Sequence, residues 1–258
     1  MSHENRLGDT ILENLCGLAV DVNGLIIPGQ LIEGVLSRHA FNLVVNRNHE
    51  VYKISLVGSG TAVRYRDREI LLTTKHQVRG IDPRQVAMLT DDDNIITSAG
   101  FRQYNVESDS DAYDIVAFDF TAPCADRPEL KKRFFDLRGG APPASLNVNV
   151  LAIVLSGFPV ADQAYEVYEK NHIGLARRNI TCEPHEQPSD VALLRVRTVQ
   201  PLEIDPDGMS GGSAFVIQLV DGQPRAYFGG IVVRGGREFF SILKPGFVVA
   251  FLDAVFDP

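Results

Sequence analysis

Cysteine is scarce in this sequence. Cys16, Cys124 and Cys182 are few, odd in number and far apart. No C-x-x-C pair occurs, so a zinc knuckle or a dithiol redox motif has no support. Such usage fits a reducing compartment, where the fold must stand without disulfides. Long apolar runs are also missing. The longest, around Val148–Leu155 and Phe247–Phe256, are too short to span a bilayer. The N-terminal segment carries Glu4 and Asp9 and lacks a basic start followed by a clean apolar run, so it does not read as a secretory signal. We therefore expect a cytoplasmic protein with no membrane partner. Basic charge is in deficit as well: 25 Lys and Arg face 33 Asp and Glu, a net charge of -8. A field of that sign repels phosphate backbones, so nucleic acid is not an expected partner. Internal repeats and low-complexity tracts are absent.

What is present suits a globular β protein. The 258 residues can bury one large all-β domain or two small lobes. An apolar fraction of 45% and a charged fraction of 22% are ordinary for a folded domain. In residues 7–20, Leu7, Ile11, Leu12, Leu15 and Leu18 fall at helical spacing. Turns follow at Asn23-Gly24 and Pro28-Gly29, then a second short helix over Gln30–Leu36. Residues 1–41 read as a partly helical N-terminal extension. From residue 42 the pattern changes to short runs of β-formers broken by turn signals, which points to a sandwich or barrel. Strands are expected around Val44–Val63 in pieces, at Glu69–Thr74, Gln85–Leu89, Ile95–Ser98, Gly100–Tyr104 and Ile115–Phe120. Residues 122–145, rich in proline and glycine and carrying Lys131-Lys132-Arg133, read as a connector. Strands resume at Val148–Ser156, Ala192–Thr198, Ser213–Leu219, Ala226–Arg234 and Phe239–Ile242, and a helix closes the chain from Phe247. The expected domain, 42–258, thus divides into a first lobe over about 42–121 and a second over about 146–258.

Three local signals carry chemistry. The first is Asp207-Gly208-Met209-Ser210-Gly211-Gly212-Ser213. A serine hydroxyl is a poor nucleophile until a base takes its proton, and it needs donors aimed at the developing oxyanion. Glycines around Ser210 allow a tight turn in which the N–H groups of Gly208 and Ser210 can point at one spot. The second is His76, at the end of the apolar run Leu71-Leu72-Thr73-Thr74, a rigid footing for a general base. The third is Asp114, directly before Ile115-Val116-Ala117-Phe118, from which a carboxylate could accept the Nδ1–H of His76 and fix its tautomer. Taken singly these are a glycine-rich hairpin, a surface histidine and a turn aspartate. Their order is what tells. A nucleophile elbow of the α/β-hydrolase kind needs a histidine after its serine. All six histidines precede Ser210, which excludes that fold.

These residues resemble the trypsin-like, chymotrypsin-fold serine peptidases, and look closest to their bacterial, disulfide-free members. The matching pieces are Gly58-Ser59-Gly60-Thr61-Ala62-Val63, Leu72-Thr73-Thr74-Lys75-His76, Asp114-Ile115-Val116-Ala117-Phe118, Gly208-Met209-Ser210-Gly211-Gly212-Ser213 and Gly229-Gly230-Ile231-Val232-Val233-Arg234-Gly235. The resemblance runs from about residue 42 to the end. It implies two six-stranded antiparallel β-barrels with the site between them, and hydrolysis of protein or peptide substrates through an acyl-enzyme. His76 would be the general base, Asp114 its orienting carboxylate, Ser210 the nucleophile, and Gly208 and Ser210 the oxyanion-hole donors. No cofactor is implied.

The sequence departs from the family at Lys75, commonly alanine, at Ser213, usually proline, and at Met209, an aspartate in many secreted members that pair it with a freed N-terminus. The last departure argues against activation by that route. Ile204 would line the base of the primary pocket and select apolar side chains, while a small register shift would bring Asp205 or Asp207 there and select Lys or Arg. Val232, Val233 and Arg234 fall on the strand that pairs with substrate backbone, and Arg234 would favour acidic neighbours. The acidic runs Asp109, Asp111, Asp114 and Asp91-Asp92-Asp93-Asn94 lack the spacing and terminal glutamate of a calcium loop, so they read as solvated turns and no metal is expected. Two other functions share this fold: a catalytically silent binding or scaffold protein, and an esterase. A regulatory partner is left open.

Overall fold

The computed structural model describes residues 16–47, 54–90, 94–106, 108, 110–137, 146, 148–166 and 172–256. The protein is all-β, with three α-helices among these residues. The chain enters as β1 (Ala19–Val22), β2 (Leu25–Pro28) and α1 (Gly29–Ser37). The helix expected over residues 7–20 does not extend through its last residues: Ala19–Val22 is extended, and residues 7–15 lie outside the described residues. Asn23 and Gly24, both at positive φ (52° and 84°), form the tight turn that a two-residue hairpin demands. In α1, Ile32 and Leu36 are one helical turn apart and buried, while Leu31 and Glu33 face out.

The first lobe contains β3 (Ala40–Asn46), β4 (Ile54–Tyr65), β5 (Arg68–Thr73), β6 (Val86–Leu89), β7 (Ile95–Thr97), β8 (Gly100–Gln103) and β9 (Val116–Asp119). They pair in the order β7-β6-β3-β4-β5-β9-β8. The two edge strands are consecutive in the chain. Between them Ser98 N–H reaches Val86 O (3.4 Å) and Ala99 N–H reaches Asp119 O (2.8 Å), which curls the sheet into a half-barrel. Its interior holds Phe41, Leu43, Leu71, Met88, Phe118 and Phe120, all fully buried.

The stretch read as a connector is more than a linker. After α2 (Pro128–Lys131), β10 (Phe135–Asp136) pairs in parallel with β4. Residues 138–145, with their glycine and proline pairs, lie outside the described residues. The second lobe contains β11 (Val150–Gly157), the hairpin β12 (Ala164–Glu166) and β13 (His172–Gly174), then β14 (Arg178–Pro184), β15 (Leu193–Thr198), β16 (Ser213–Val220), β17 (Gln223–Gly235), β18 (Phe239–Leu243) and α3 (Pro245–Phe256). Strands β16-β11-β14-β15-β18-β17 close through β16–β17 pairing into a six-stranded barrel, which has no free edge to protect. β1 joins β17 in parallel, so the N-terminal segment extends this sheet. Cys124 and Cys182 are buried in different cores and Cys16 is exposed, and all three are free thiols. Among the described residues no helix is long and apolar enough to cross a membrane.

Candidate active site

The site lies where the lobes meet. β5 ends at Thr73, and buried Thr74 anchors the turn that follows. In that turn Val78 N–H bonds Lys75 O (3.2 Å) and Arg79 N–H bonds His76 O (3.4 Å), which lifts His76 out of the sheet. Asp114 caps a short 3-10 turn, Asp111–Tyr113, whose own start is held by Ser110 Oγ accepting Ala112 N–H. Ile115, fully buried, fixes the next residue. The two side chains meet. His76 Nδ1 is 2.6 Å from Asp114 Oδ2, and His76 backbone N–H donates to Asp114 Oδ1 at 3.0 Å. The carboxylate thus grips the histidine by ring and backbone together, which leaves Nε2 as the acceptor nitrogen, with the Thr74 hydroxyl at 3.4 Å.

Ser210 comes from the loop before β16. Met209 N–H bonds Pro206 O (2.9 Å), Gly212 N–H bonds Met209 O (2.9 Å) and Gly211 N–H bonds Val232 O (2.7 Å). Val160 N–H holds Asp207 O at 2.8 Å. Gly208 (φ 92°) and Gly211 (φ 79°) adopt backbone conformations that other residues resist. At Gly211 a Cβ would also fall 2.2 Å from Ser59 O. The N–H groups of Gly208 and Ser210 have no acceptor among the described residues. Met209 is 1% exposed inside the second barrel's core, so apolar burial rather than an ion pair seats this loop. The Ser210 hydroxyl rests on Val233 O at 3.4 Å.

A single cavity of about 1060 Å³ is lined by His76, Asp114, Ser210, Val233 and Arg234, with Phe101 and Val106 among its apolar walls. It therefore brings together residues from both lobes. A β-bulge between Val232 and Arg234 leaves Val233 out of register with β18 on this wall. Val232 is fully buried in the second barrel's core, and its backbone, not its side chain, serves the Ser210 loop, with its N–H on Gly212 O at 2.9 Å. Ile204 lines a different hollow of about 370 Å³, beside Arg178, Ile180 and Leu202.

Two contacts between the lobes could not be read from the sequence. Arg234 reaches across to the first lobe, its Nε and Nη2 lying 2.9 Å and 2.7 Å from Asp111 Oδ1. Ser59 Oγ lies between the lobes, bonded to the loop that bears Ser210. Partners so far apart in the chain leave no local pattern. No cluster of three or more His, Cys, Asp or Glu side chains suited to a metal ion occurs among the described residues. The arrangement is a closed six-stranded barrel and a half-barrel, consistent with a chymotrypsin-like double-barrel fold, with an imidazole–carboxylate pair on one and a serine loop on the other. No family model matches the chain, and no curated protein matches it.

Proposed function

We propose that the protein is a serine endopeptidase that hydrolyses protein or peptide substrates through His76, Asp114 and Ser210. The observation that carries this is the meeting, in one inter-lobe cavity, of Ser210 with a histidine whose Nδ1 is 2.6 Å from a carboxylate. Asp114 holds His76 with Nε2 as the base. Ser210 turns about its Cα–Cβ bond from Val233 O toward His76. Nε2 takes the hydroxyl proton as Oγ adds to the substrate carbonyl, then gives that proton to the leaving amine, and water repeats the sequence on the acyl-enzyme. The unpaired N–H groups of Gly208 and Ser210 are the donors for the oxyanion. These side chains need no cofactor for that chemistry.

The reading of a silent scaffold draws on one observation: the Ser210 hydroxyl is bonded to Val233 O in this structure. A fluorophosphonate probe separates the two. We expect it to label the native protein, and Ser210→Ala to abolish labelling. Absence of label on a folded wild type would sink the hydrolase reading. Cleavage of a peptide library against turnover of simple esters then decides peptidase from esterase.

A further inference from the structure

Ser59 is fully buried and lies on β4 of the first lobe, next to the glycine at which the strand's register shifts. Its hydroxyl makes two short bonds, both to the second lobe. It accepts from Phe158 N–H at 2.7 Å and donates to Gly208 O at 2.6 Å. Its own carbonyl accepts from Thr73 Oγ1 at 2.8 Å, so the backbone that presents this hydroxyl is itself held.

The geometry points to Ser59 as a positioning residue that fixes the Gly208 N–H for the oxyanion from the opposite lobe; this rests on the serine-hydrolase reading. A peptide N–H points opposite to its own C=O. The Gly208 N–H therefore faces away from Asp207 O, and Asp207 O is held by Val160 N–H. The next peptide, Gly208–Met209, is held by Met209 N–H on Pro206 O and by Ser59 Oγ on Gly208 O. Glycine at φ 92° resists rotation of these planes less than any other residue, so external bonds must hold them. Ser59 acts on both. It grips the second peptide directly. It grips the first through Phe158, two residues before Val160 on the same turn. Without the hydroxyl, the Phe158 N–H and the Gly208 O are buried with their partner gone, a state that favours rearrangement of the loop.

The test compares wild type, Ser59→Ala and, as a control of similar stability cost away from the loop, Ile70→Val. The acylation rate constant and half-saturation concentration are read from the burst with p-nitrophenyl acetate and from the rate of fluorophosphonate labelling. Amide exchange over residues 207–212 is read by mass spectrometry. For Ser59→Ala we expect acylation to fall on the order of 10²-fold with half-saturation changed by less than about twofold, the signature of an interaction made in the transition state. Exchange over 207–212 should quicken, and the pH profile should keep its shape, because His76 and Asp114 are untouched. Ser59→Cys, similar in shape with a far weaker donor, takes the place of the alanine variant if that one does not fold. An unlabelled wild type takes down the hydrolase reading and this inference with it. A labelled wild type whose Ser59 variant acylates normally, or no worse than Ile70→Val, overturns the inference alone.

Discussion

His39 is 3% exposed, with the rings of Phe135 and Phe215 centred 5.2 Å and 5.7 Å away. Burial pushes its pKa from 6.5 down to about 3, helped by the charges of Arg38, Arg133 and Arg177 and opposed by a 2.7 Å bond to Arg133 O. In the native state the ring stays neutral and Nδ1–H donates to that carbonyl. Between about pH 6.5 and pH 3 the unfolded chain binds a proton that the folded one refuses, so stability falls as pH falls through that window and is unaffected above it. One full proton amounts to about 1.4 kcal/mol per pH unit. His39→Asn keeps a donor near the Nδ1 position and cannot titrate. Urea denaturation at a series of pH values should show a shallower acid-side slope for this variant, and parallel slopes would contradict it. None of this was legible in the sequence, where His39 is one histidine among six. His76 and Asp114, one after an apolar strand and the other before one, stood out only through their order with Ser210, after which no histidine follows. Ser59 belongs to the Gly58-Ser59-Gly60 motif, yet its bond to Gly208 spans 149 positions and leaves no trace in local pattern.

At the scale of elements, backbone conformation separates glycines that composition treats alike. Gly34 sits exposed in α1, with nothing within 4 Å of where a Cβ would lie. Gly34→Ala should stabilise the protein by about 1 kcal/mol, the difference in helix propensity. Gly230 on β17 has φ 125°, and a Cβ there would fall 1.8 Å from Leu243 O on β18. Backbone cannot yield as a side-chain tip can, so Gly230→Ala should cost more than about 3 kcal/mol. Thermal melts of the two variants should move in opposite directions, and a neutral Gly230→Ala would refute the close packing of β17 on β18. Among the strands that the sequence marked, β11 and β16 carry unbroken runs of buried residues. β14 escaped because only Ile180 and Cys182 of its seven residues are buried, and it begins Arg-Asn and ends in proline. β1 escaped because leucines before it at helical spacing masked the alternation of Val20 and Val22, whose burial follows the strand period. The Asn23-Gly24 turn was visible. Its meaning as a hairpin depended on the partner strand.

For the whole molecule, the two lobes share a core. One apolar cluster joins Val63, Leu72 and Ala117 of the first lobe to Phe215, Ile231 and Leu243 of the second. Phe135, in the stretch read as a connector, belongs to that cluster and packs edge-on against Phe215 at 5.0 Å. α3, the last element of the chain, reaches back to the first lobe, with Phe251 against Tyr104 at 5.0 Å. Residues 122–145 could pass for a linker because their prolines and paired glycines are turn signals read locally, whereas the tertiary role of Phe135 is not local at all. Arg234–Asp111 bridges the lobes too, but with the arginine 68% exposed an ion pair of this kind adds less than about 1 kcal/mol. Apolar contact, joined by the buried bonds of the Ser59 and Thr61 hydroxyls to Gly208 O and Gly211 O, is then what couples the lobes, and a lobe parted from its neighbour would expose Phe215, Phe228 and Val248 together. We therefore expect one cooperative unfolding transition, with far-ultraviolet and near-ultraviolet circular dichroism superimposing and calorimetric and van't Hoff enthalpies agreeing. Residues 146–258 expressed alone should lack a native near-ultraviolet spectrum. Two resolved melting transitions, or a natively folded second-lobe fragment, would show instead that the shared cluster is a docking interface between independent barrels.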